Sequence, residues 1–294
     1  MNKELIVKSN HVIDASYKLT LSEQRLILLC VQQIKQNQAV SIHDRFEIRV
    51  GDFVDMFEIS ADRAYSELQA VADRLYERSV TINNPDPEDP RIATTKTRWI
   101  SSIDYIPGEG CISITFASKM IPYIAMLEGG FTRYNLQFIA NMNSVYGIRF
   151  YEFFKCWLFG NTQNTKKISL DELKKKLELT GKYPSIKDFK LKVLDKAMRD
   201  VNEHTDLVAS YESLKTGRKI THIQFSFCIK HEESTQRKLT YYTKAHLDKN
   251  PELALKGESY EQALKRLNSR NSRNSRNSRN EILGTEEEQT LLNL

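Results

Sequence analysis

Apolar and polar residues along this 294-residue chain follow two periods, and the order of those periods is similar in the two halves. Spacing of three and four residues predicts an amphipathic helix from Leu21 to about Gln36 and another from Ala61 to about Arg78. Thr20–Glu23 and, in the second half, Ser169–Glu172 have the spacing of a helix capping box. Alternate spacing predicts strands at Phe46–Val50, at about Thr94–Tyr105 and at Cys111–Phe116. The first half therefore has the order helix, strand, helix and hairpin.

The second half has the same order of periods. One helix is predicted at Val145–Phe159, a short β-like run at Lys166–Ser169, and a second helix from Ser185 to about Glu203. A hairpin follows, with strands at Leu207–Leu214 and Ile220–Ile229 on either side of the turn Lys215–Lys219. The last strand has apolar residues at alternate positions, which indicates that only one of its faces is buried.

One short motif occurs once in each half. An acidic residue, two apolar residues a helical turn apart and a polar helix-capping residue occur at Asp52–Ser60 and again at Glu172–Thr180. A short helix, a turn and a longer helix with cationic side chains form a helix-turn-helix. Followed by a hairpin, each copy has the order of a winged helix. The predicted fold is therefore α+β, with two tandem winged-helix domains.

The same patterns predict where the domains begin and end. Residues 1–18 are predicted to form a polar arm, and the boundary between the two winged helices is expected near Gly129–Gly130. The predicted domains are residues 1–129 and residues 130–231. A polar tail, 232–294, contains four copies of Asn-Ser-Arg at 268–279 and is expected to be largely disordered, because such a tract cannot build a core.

Composition narrows the class of protein only a little. The formal charge of +5 is mild, and the apolar fraction of 40% is that of an ordinary globular protein. No run approaches the roughly 20 apolar residues of a membrane span, and the polar N-terminus has no signal-peptide core. We therefore expect a cytosolic protein with no membrane partner. The 4 cysteines are scattered and are expected to be free thiols.

The second helix-turn-helix is the best candidate for DNA binding. Its turn and the start of its second helix carry Lys182, Tyr183, Lys187, Lys190 and Lys192. The start of a recognition helix is where side chains meet base edges and phosphates. A solvated amphipathic helix is the alternative explanation for any single lysine, and Lys190 projects close to the apolar stripe.

The tip of the second hairpin adds three cations to this pattern. Lys215, Arg218 and Lys219 occupy the turn, where a wing would meet the phosphates that flank the bases in contact with the helix. The combination of a cationic helix with a cationic wing favours double-stranded DNA as the partner.

The first domain is a weaker candidate for DNA binding. Its helix carries Arg63, Arg74 and Arg78, and its hairpin carries Lys96 and Arg98. The adjoining loop holds the acidic residues Asp86, Glu88 and Asp89, which would repel phosphate. Partial DNA contact together with a role in protein–protein contact, including dimerisation, fits this half better.

The sequence lacks several motifs that are typical of enzymes acting on DNA, nucleotides or esters. The 6 histidines include no His-x-His pair of the kind that a rolling-circle nicking enzyme needs for its metal. The chain has neither a phosphate-binding Gly-x4-Gly-Lys-Ser/Thr loop nor a Gly-x-Ser-x-Gly nucleophile elbow. The expectation is a protein without catalytic residues, cofactor or metal.

Three segments carry a resemblance to a known family. Leu19–Leu29, Phe189–Ala197 and the hairpin Tyr211–Phe227 resemble, in order, segments of the theta-type plasmid replication initiators of the iteron-binding Rep family. The resemblance covers about residues 5–231. It implies two winged-helix domains, binding of tandem origin repeats as a monomer, dimerisation through the first domain, and repression of the protein's own promoter as a dimer.

The resemblance also implies partners and roles for particular residues. Family members help to open the origin and recruit the host helicase, and their second recognition helix reads the bases. That role transfers here to Lys187, Lys190 and Lys192. A dimeric transcriptional repressor without initiator activity, a nicking initiator and a purely structural or partner-binding protein are the alternatives.

Overall fold

The computed structural model describes residues 5–34, 38–57, 64–83, 89–125, 127, 129–230, 258–259 and 261–266. Residues 1–230 form one unit and residues 231–294 form a second. In the second unit the described residues include a helix at 261–266, within the predicted polar tail. Ser259 caps this helix, because its hydroxyl accepts from the Gln262 amide at 3.3 Å. The Asn-Ser-Arg tract lies outside the described residues.

The described part of the first unit, up to the predicted boundary, contains both helices and strands. In chain order these are β1 (Leu5–Ser9), α1 (Asn10–Asp14), β2 (Ser16–Tyr17), α2 (Leu21–Gln32), β3 (Phe46–Arg49), α3 (Val50–Phe57), α4 (Ala64–Tyr76), β4 (Ser79–Asn83), β5 (Thr94–Arg98) and β6 (Ile100–Ile106). A 3-10 turn, Pro107–Glu109, leads into β7 (Cys111–Phe116), which a second 3-10 helix, Ser118–Tyr123, follows.

The elements after the predicted boundary repeat the order. They are β8 (Phe131–Asn135), α5 (Gln137–Ala140), α6 (Val145–Trp157), β9 (Gln163–Ser169), α7 (Leu170–Lys176), α8 (Ile186–Phe189), a π-helical turn (Lys190–Leu194), α9 (Asp195–His204), β10 (Leu207–Thr216) and β11 (Lys219–Ile229). We call the continuous helical segment 186–204 the recognition helix, and the hairpin of β10 and β11 the second wing.

Each half contains antiparallel sheets of three strands. In the first half the strand orders are β2-β4-β5 and β3-β7-β6, and in the second half the order is β10-β11-β9. The strand that leads into each helix-turn-helix, β3 or β9, pairs with the last strand of its own hairpin. The predicted winged-helix order is therefore present twice.

The beginning of the chain corrects one prediction. Residues 1–18 were expected to be a polar arm, and for residues 5–17 this is wrong, because Ile6, Val12, Ile13 and Tyr17 are buried. β1 pairs with β8, so its partner lies beyond the predicted domain boundary. Three pieces of five residues or fewer are too short to show a period, and their burial depends on contacts distant in sequence. The boundary at Gly129–Gly130 stays a prediction.

Helix α2 begins where the sequence places it. The Thr20 hydroxyl accepts from the Glu23 amide at 3.3 Å, and the Glu23 carboxylate accepts from the Thr20 amide at 2.8 Å, which completes the expected capping box. Glu23 is buried and also binds Arg78, whose side chain reaches it at 2.9 Å. One carboxylate therefore caps α2 and joins it to the end of α4.

A buried ion pair joins the first strand to α6. The Lys8 ammonium lies 2.7 Å from a carboxylate oxygen of Glu152, and both side chains are almost fully buried. The hydroxyl of Tyr134 donates to the same carboxylate at 2.5 Å, and that of Tyr17 lies 3.4 Å away. Burial opposes ionisation, but the charges of Lys8 and Arg149 hold the pKa of Glu152 below its ordinary value.

Helix α6 in turn carries the recognition helix. The two pack so closely at Gly147 that a Cβ atom there would lie 2.7 Å from the Cβ of Asp200. The Asp200 carboxylate accepts from the Ser144 amide at 2.6 Å, at the first turn of α6. Glycine is needed at 147 because the approach leaves no room for a side chain.

We predict that Lys8→Met destabilises the protein by about 3–5 kcal/mol, because it leaves Glu152 buried without its main counter-charge. Urea unfolding followed by circular dichroism measures the change. The matched control is Arg45→Met, which removes an exposed ion pair with Asp104 and should cost no more than about 1 kcal/mol. Equal stability of Lys8→Met and the parent would contradict the role of this pair.

The pH dependence provides a second readout of the same carboxylate. Because the folded pKa of Glu152 is depressed, its contribution is present above the ordinary glutamate pKa of about 4.3 and is lost as the pH falls through the folded value. The parent should therefore lose stability below about pH 4.3, and Lys8→Met should lose less over the same range.

Candidate nucleic-acid interface

The second helix-turn-helix begins with a capped helix. The Ser169 hydroxyl accepts from the Glu172 amide at 3.1 Å and ends the β9 strand by starting α7. The structure shows this half of the predicted capping box, while the Glu172 carboxylate lies 3.8 Å from the Lys176 ammonium, one turn later. α7 is therefore capped by the Ser169 hydroxyl and stabilised by the ion pair between Glu172 and Lys176, which are four residues apart on the helix.

The turn between the two helices is held by a lysine that the sequence did not single out. Lys174 donates to the carbonyl oxygens of Lys182 at 3.1 Å and Tyr183 at 2.9 Å. Its ammonium also lies 5.4 Å from the ring centroid of Phe189. Gly181 and Tyr183 have left-handed backbones, with φ of 75° and 51°, so these contacts support a strained turn.

Tyr183 packs inward from this turn. Its ring centroid lies 6.3 Å from that of Phe189, a fully buried residue on the first turn of the recognition helix. Burial and a hydrogen bond with Tyr183 raise the pKa of Tyr146, on α6, to about 12. The half-buried Tyr183 therefore ties the turn to α6, and any DNA contact it makes stays a prediction.

The recognition helix has a buried face and a cationic face. The Ser185 hydroxyl accepts from the Asp188 amide at 3.5 Å, which marks the start of the helix. The buried face is formed by Phe189, Val193, Leu194, Ala197 and Val201. The exposed face carries Lys187, Leu191, Lys192, Lys196 and Arg199.

Two of these exposed cations were missed from the sequence. Lys196 and Arg199 lie further along the helix than the residues at its start that the sequence predicted as DNA contacts. A helical projection with Phe189 and Val193 on the buried side would have placed both on the exposed side. We call the exposed cations Lys187, Lys192, Lys196 and Arg199 the helix row.

Lys190 lies apart from the helix row. Its side chain is half-buried and its ammonium is 5.8 Å from the ring centroid of Tyr211, on the first strand of the second wing. The Tyr211 hydroxyl donates to the Asp195 carboxylate at 2.6 Å, and so joins the wing to the recognition helix. Lys190 therefore packs where the helix meets the wing, close to the apolar stripe as the projection indicates.

The three predicted wing cations lie at the tip of the hairpin. Thr216 and Lys219 are paired, and Gly217 and Arg218 form the turn between them. Gly217 has a φ of 62°, which a glycine adopts without strain. Lys215, Arg218 and Lys219 are all exposed, so the sequence located this cationic tip within the fold correctly.

The cations of the two halves differ in what they contact. Within the described ranges, neither the helix row nor the wing tip forms an ion pair with a carboxylate. In the first half, Arg74 and Arg78 both reach Glu23, at 3.5 and 2.9 Å. The ammonium and guanidinium groups of the helix row and the wing tip are therefore available to meet an external anion.

The other residues of the first half that were predicted to contact DNA differ in whether their charges already have a partner within the protein. Arg98 lies 3.2 Å from the Glu77 carboxylate and 5.1 Å from the Tyr76 ring centroid, so its charge is partly satisfied within the protein. Lys96 is exposed on β5. Arg63 lies outside the described residues, as do Asp86 and Glu88. Asp89 is described and pairs with Arg91 at 2.7 Å.

One further lysine comes close to the second helix-turn-helix from the first half. Lys18 is exposed, and the pKa of its ammonium lies below its ordinary value, chiefly through its contact with the ammonium of Lys182. Two like charges held together at a surface favour an anion between them. Sequence reasoning missed Lys18 because the segment was taken for an arm.

Two other features, a metal site and a membrane-spanning helix, are absent from the described residues. They contain no group of three or more histidine, cysteine, aspartate and glutamate side chains that could hold a metal ion. None of the helices in the described part of the chain has both the length and the apolar character that a membrane crossing requires.

Comparison with known proteins finds the same two domains in the same order. A family model described as "Initiator Replication protein, WH1" matches residues 5–155, and one described as "Initiator Rep protein, WH2" matches residues 169–227. These matches confirm the predicted fold class, α+β with two tandem winged helices, and confirm the resemblance that the sequence carries.

Individual relatives agree with the family models. The "Replication initiation protein" of Escherichia coli is 27% identical over 217 residues, which are 70% of this chain and 65% of that protein. The "PI protein" of Escherichia coli is 25% identical over 272 residues, 79% of this chain and 86% of that protein. A crystal structure of the Pi initiator protein in complex with iteron DNA has a TM-score of 0.65 and 25% identity, and covers 78% of this chain and 98% of that one.

We predict that replacing Lys215, Arg218 and Lys219 together by alanine lowers DNA affinity for all sequences. The log–log dependence of affinity on salt should become shallower by about one unit for each lost phosphate contact. The control exchanges the same residues for the other basic type, Lys215→Arg, Arg218→Lys and Lys219→Arg, and should leave the slope unchanged. An unaltered slope in the alanine variant would place the wing away from DNA.

Proposed function

The chain belongs to the initiator replication protein family, and on that premise we propose that it initiates replication of a plasmid by binding tandem repeats at the origin. The relative whose crystal structure contains iteron DNA has the same fold over 78% of this chain. Double-stranded DNA with direct repeats is therefore the proposed ligand, and the rest of the proposal concerns how this chain holds it.

One observation supports the proposed position of DNA on this protein. The helix row lies on one exposed face, and the cationic wing tip belongs to the same winged helix. A recognition helix enters the major groove of B-DNA, which is about 12 Å wide, while a wing reaches the flanking backbone. We propose that Lys187 and Lys192 read base edges, and that Lys182, Lys215, Arg218 and Lys219 contact phosphate.

The first winged helix has a different proposed role. Its arginines Arg74, Arg78 and Arg98 are engaged by carboxylates of the protein itself, which leaves less charge for phosphate. Strand β5 lies at the edge of its sheet, and an open edge can pair with a second chain. We infer that this half carries the dimer contact, with Lys96 and Arg63 as auxiliary DNA contacts.

The repeats themselves favour binding by one chain. A direct repeat has no twofold symmetry, so a symmetric dimer cannot place both of its recognition helices equivalently on adjacent copies. We propose a monomer–dimer exchange in which the monomer binds the origin and the dimer represses the protein's own promoter. Opening of the origin and recruitment of the host helicase in the cytoplasm complete the proposal.

The alternatives predict different behaviour. A dimeric repressor would bind a palindrome and would not open DNA, and the family match does not favour it. A nicking initiator would cut one strand, and we propose instead that this chain acts without cutting. A structural or partner-binding protein would have no salt-dependent affinity for DNA.

We predict that Lys187→Ala and Lys192→Ala each weaken binding to the origin repeat by about 1–3 kcal/mol and relax its sequence preference, because a base contact is lost. Titration of labelled duplexes with and without the repeat measures both effects. Lys119→Ala, which removes an exposed charge from the first half, is the control. Undiminished preference in both variants would show that another element reads the bases.

We further predict that the chain supports replication in trans. The test plasmid carries the repeats that lie next to the coding region in the natural DNA, but neither the coding region itself nor another origin. It should be maintained only in cells that express the chain from elsewhere. The double variant Lys187→Ala, Lys192→Ala should lose this maintenance while it keeps the parent's thermal stability. Promoter repression by the parent without plasmid maintenance would favour the repressor instead.

A further inference from the structure

An apolar side chain interrupts the cationic face of the recognition helix. Leu191 is 57% exposed, and lies four residues after Lys187, directly before Lys192 and eight residues before Arg199. The next position at helical spacing on this face is Asp195, which is exposed. A large aliphatic side chain that is mostly exposed among these charges buries only a minor part of its surface against the protein.

The backbone beneath Leu191 is unusual as well. Lys190–Leu194 form a π-helical turn, in which the Asp195 amide donates to the carbonyl of Lys190, five residues earlier. Such turns are rare and cost helix stability, and they are frequent at functional sites. In this turn Val193 and Leu194 are both buried while Leu191 and Lys192 are both exposed. The wider turn therefore places an apolar side chain and a cationic one side by side on the exposed face.

The major groove contains one apolar group that would match this arrangement. Of the base-edge groups there, the donors and acceptors of guanine, adenine and cytosine suit polar side chains, and only the C5-methyl group of thymine suits an aliphatic one. We propose that Leu191 packs on a thymine methyl group in the recognised repeat and so specifies thymine at one position. This inference rests on the proposed function, because it requires the helix to lie in the major groove.

The chemistry of the neighbouring residues supports the choice of partner. Lys187 and Lys192 flank Leu191 and, within the described part of the chain, form no ion pair with a carboxylate. A second protein chain docking here would have to desolvate those charges or supply carboxylates for them. DNA meets the charges with phosphates and acceptor atoms and the leucine with a methyl group, so one partner satisfies both.

The test removes the methyl group of thymine from one side of the contact and shortens the leucine side chain on the other. The full chain first selects a preferred site from a pool of random duplexes, and each thymine of that site is then replaced in turn by deoxyuridine, which lacks only the methyl group. For the parent we expect one thymine whose replacement weakens binding about fourfold, the effect of burying one methyl group. Leu191→Ala should bind the thymine and uracil duplexes equally, and Leu191→Met should retain part of the difference.

A matched control comes from the same domain. Val208→Ala shortens an aliphatic side chain that is 47% exposed at the end of the second wing remote from its tip, where Val208 pairs with Cys228. This variant should keep the full fourfold discrimination.

Three results would overturn the inference. The first is a parent insensitive to every thymine-to-uracil exchange. The second is a Leu191→Ala variant that still discriminates fourfold. The third is a Leu191→Ala variant that no longer forms the parent's dimer, which would make Leu191 a contact between chains. If Lys187→Ala and Lys192→Ala weaken binding while Leu191→Ala still discriminates, only the leucine contact is wrong. If none of the three variants changes binding to the selected site, the placement of the recognition helix on DNA is wrong too.

Discussion

The buried contact between Lys8 and Glu152 is the constraint on which the arrangement of residues 5–230 depends. It holds the first strand of the chain against α6, and α6 carries the recognition helix through the close approach at Gly147. A buried charge pair of this kind adds little net stability relative to apolar residues, but its loss is costly, so it favours one geometry over all others. The direction in which the recognition helix faces is thus set partly by residues at the other end of the sequence.

The two winged helices show how one architecture serves two purposes. In the first, arginines on the second helix of the motif are bound by Glu23, and the cations of that helix help to hold α2 and α4 together. In the second, the helix row is exposed to solvent, and Lys174, on the first helix of the motif, holds the turn. The same residue types therefore contribute to packing in one half and are available for an anion in the other.

Sequence reasoning recovered the order of the elements because that order depends on local periods and on caps such as Thr20. It also located the wing tip, since a hairpin with a glycine turn places its central residues at the end of two strands. It failed for residues 5–17, whose burial depends on a strand far along the chain, and so it missed Lys18. Leu191 was also missed, because the hydrogen-bond register of a π-helical turn follows from tertiary packing and leaves no periodic signal.

The π-helical turn has a consequence for how this helix can change its specificity. A turn of this kind contains one residue more than the α-helical turn it replaces, and successive residues of an α-helix point about 100° apart around the axis. Loss of the codon for Leu191 would therefore convert the turn to α-helix, remove that one exposed side chain, and leave Lys196 and Arg199 facing as they do now relative to Lys187. A change in the length of the gene, without any substitution, would then be enough to remove one exposed side chain from the helix while the helix row keeps its place.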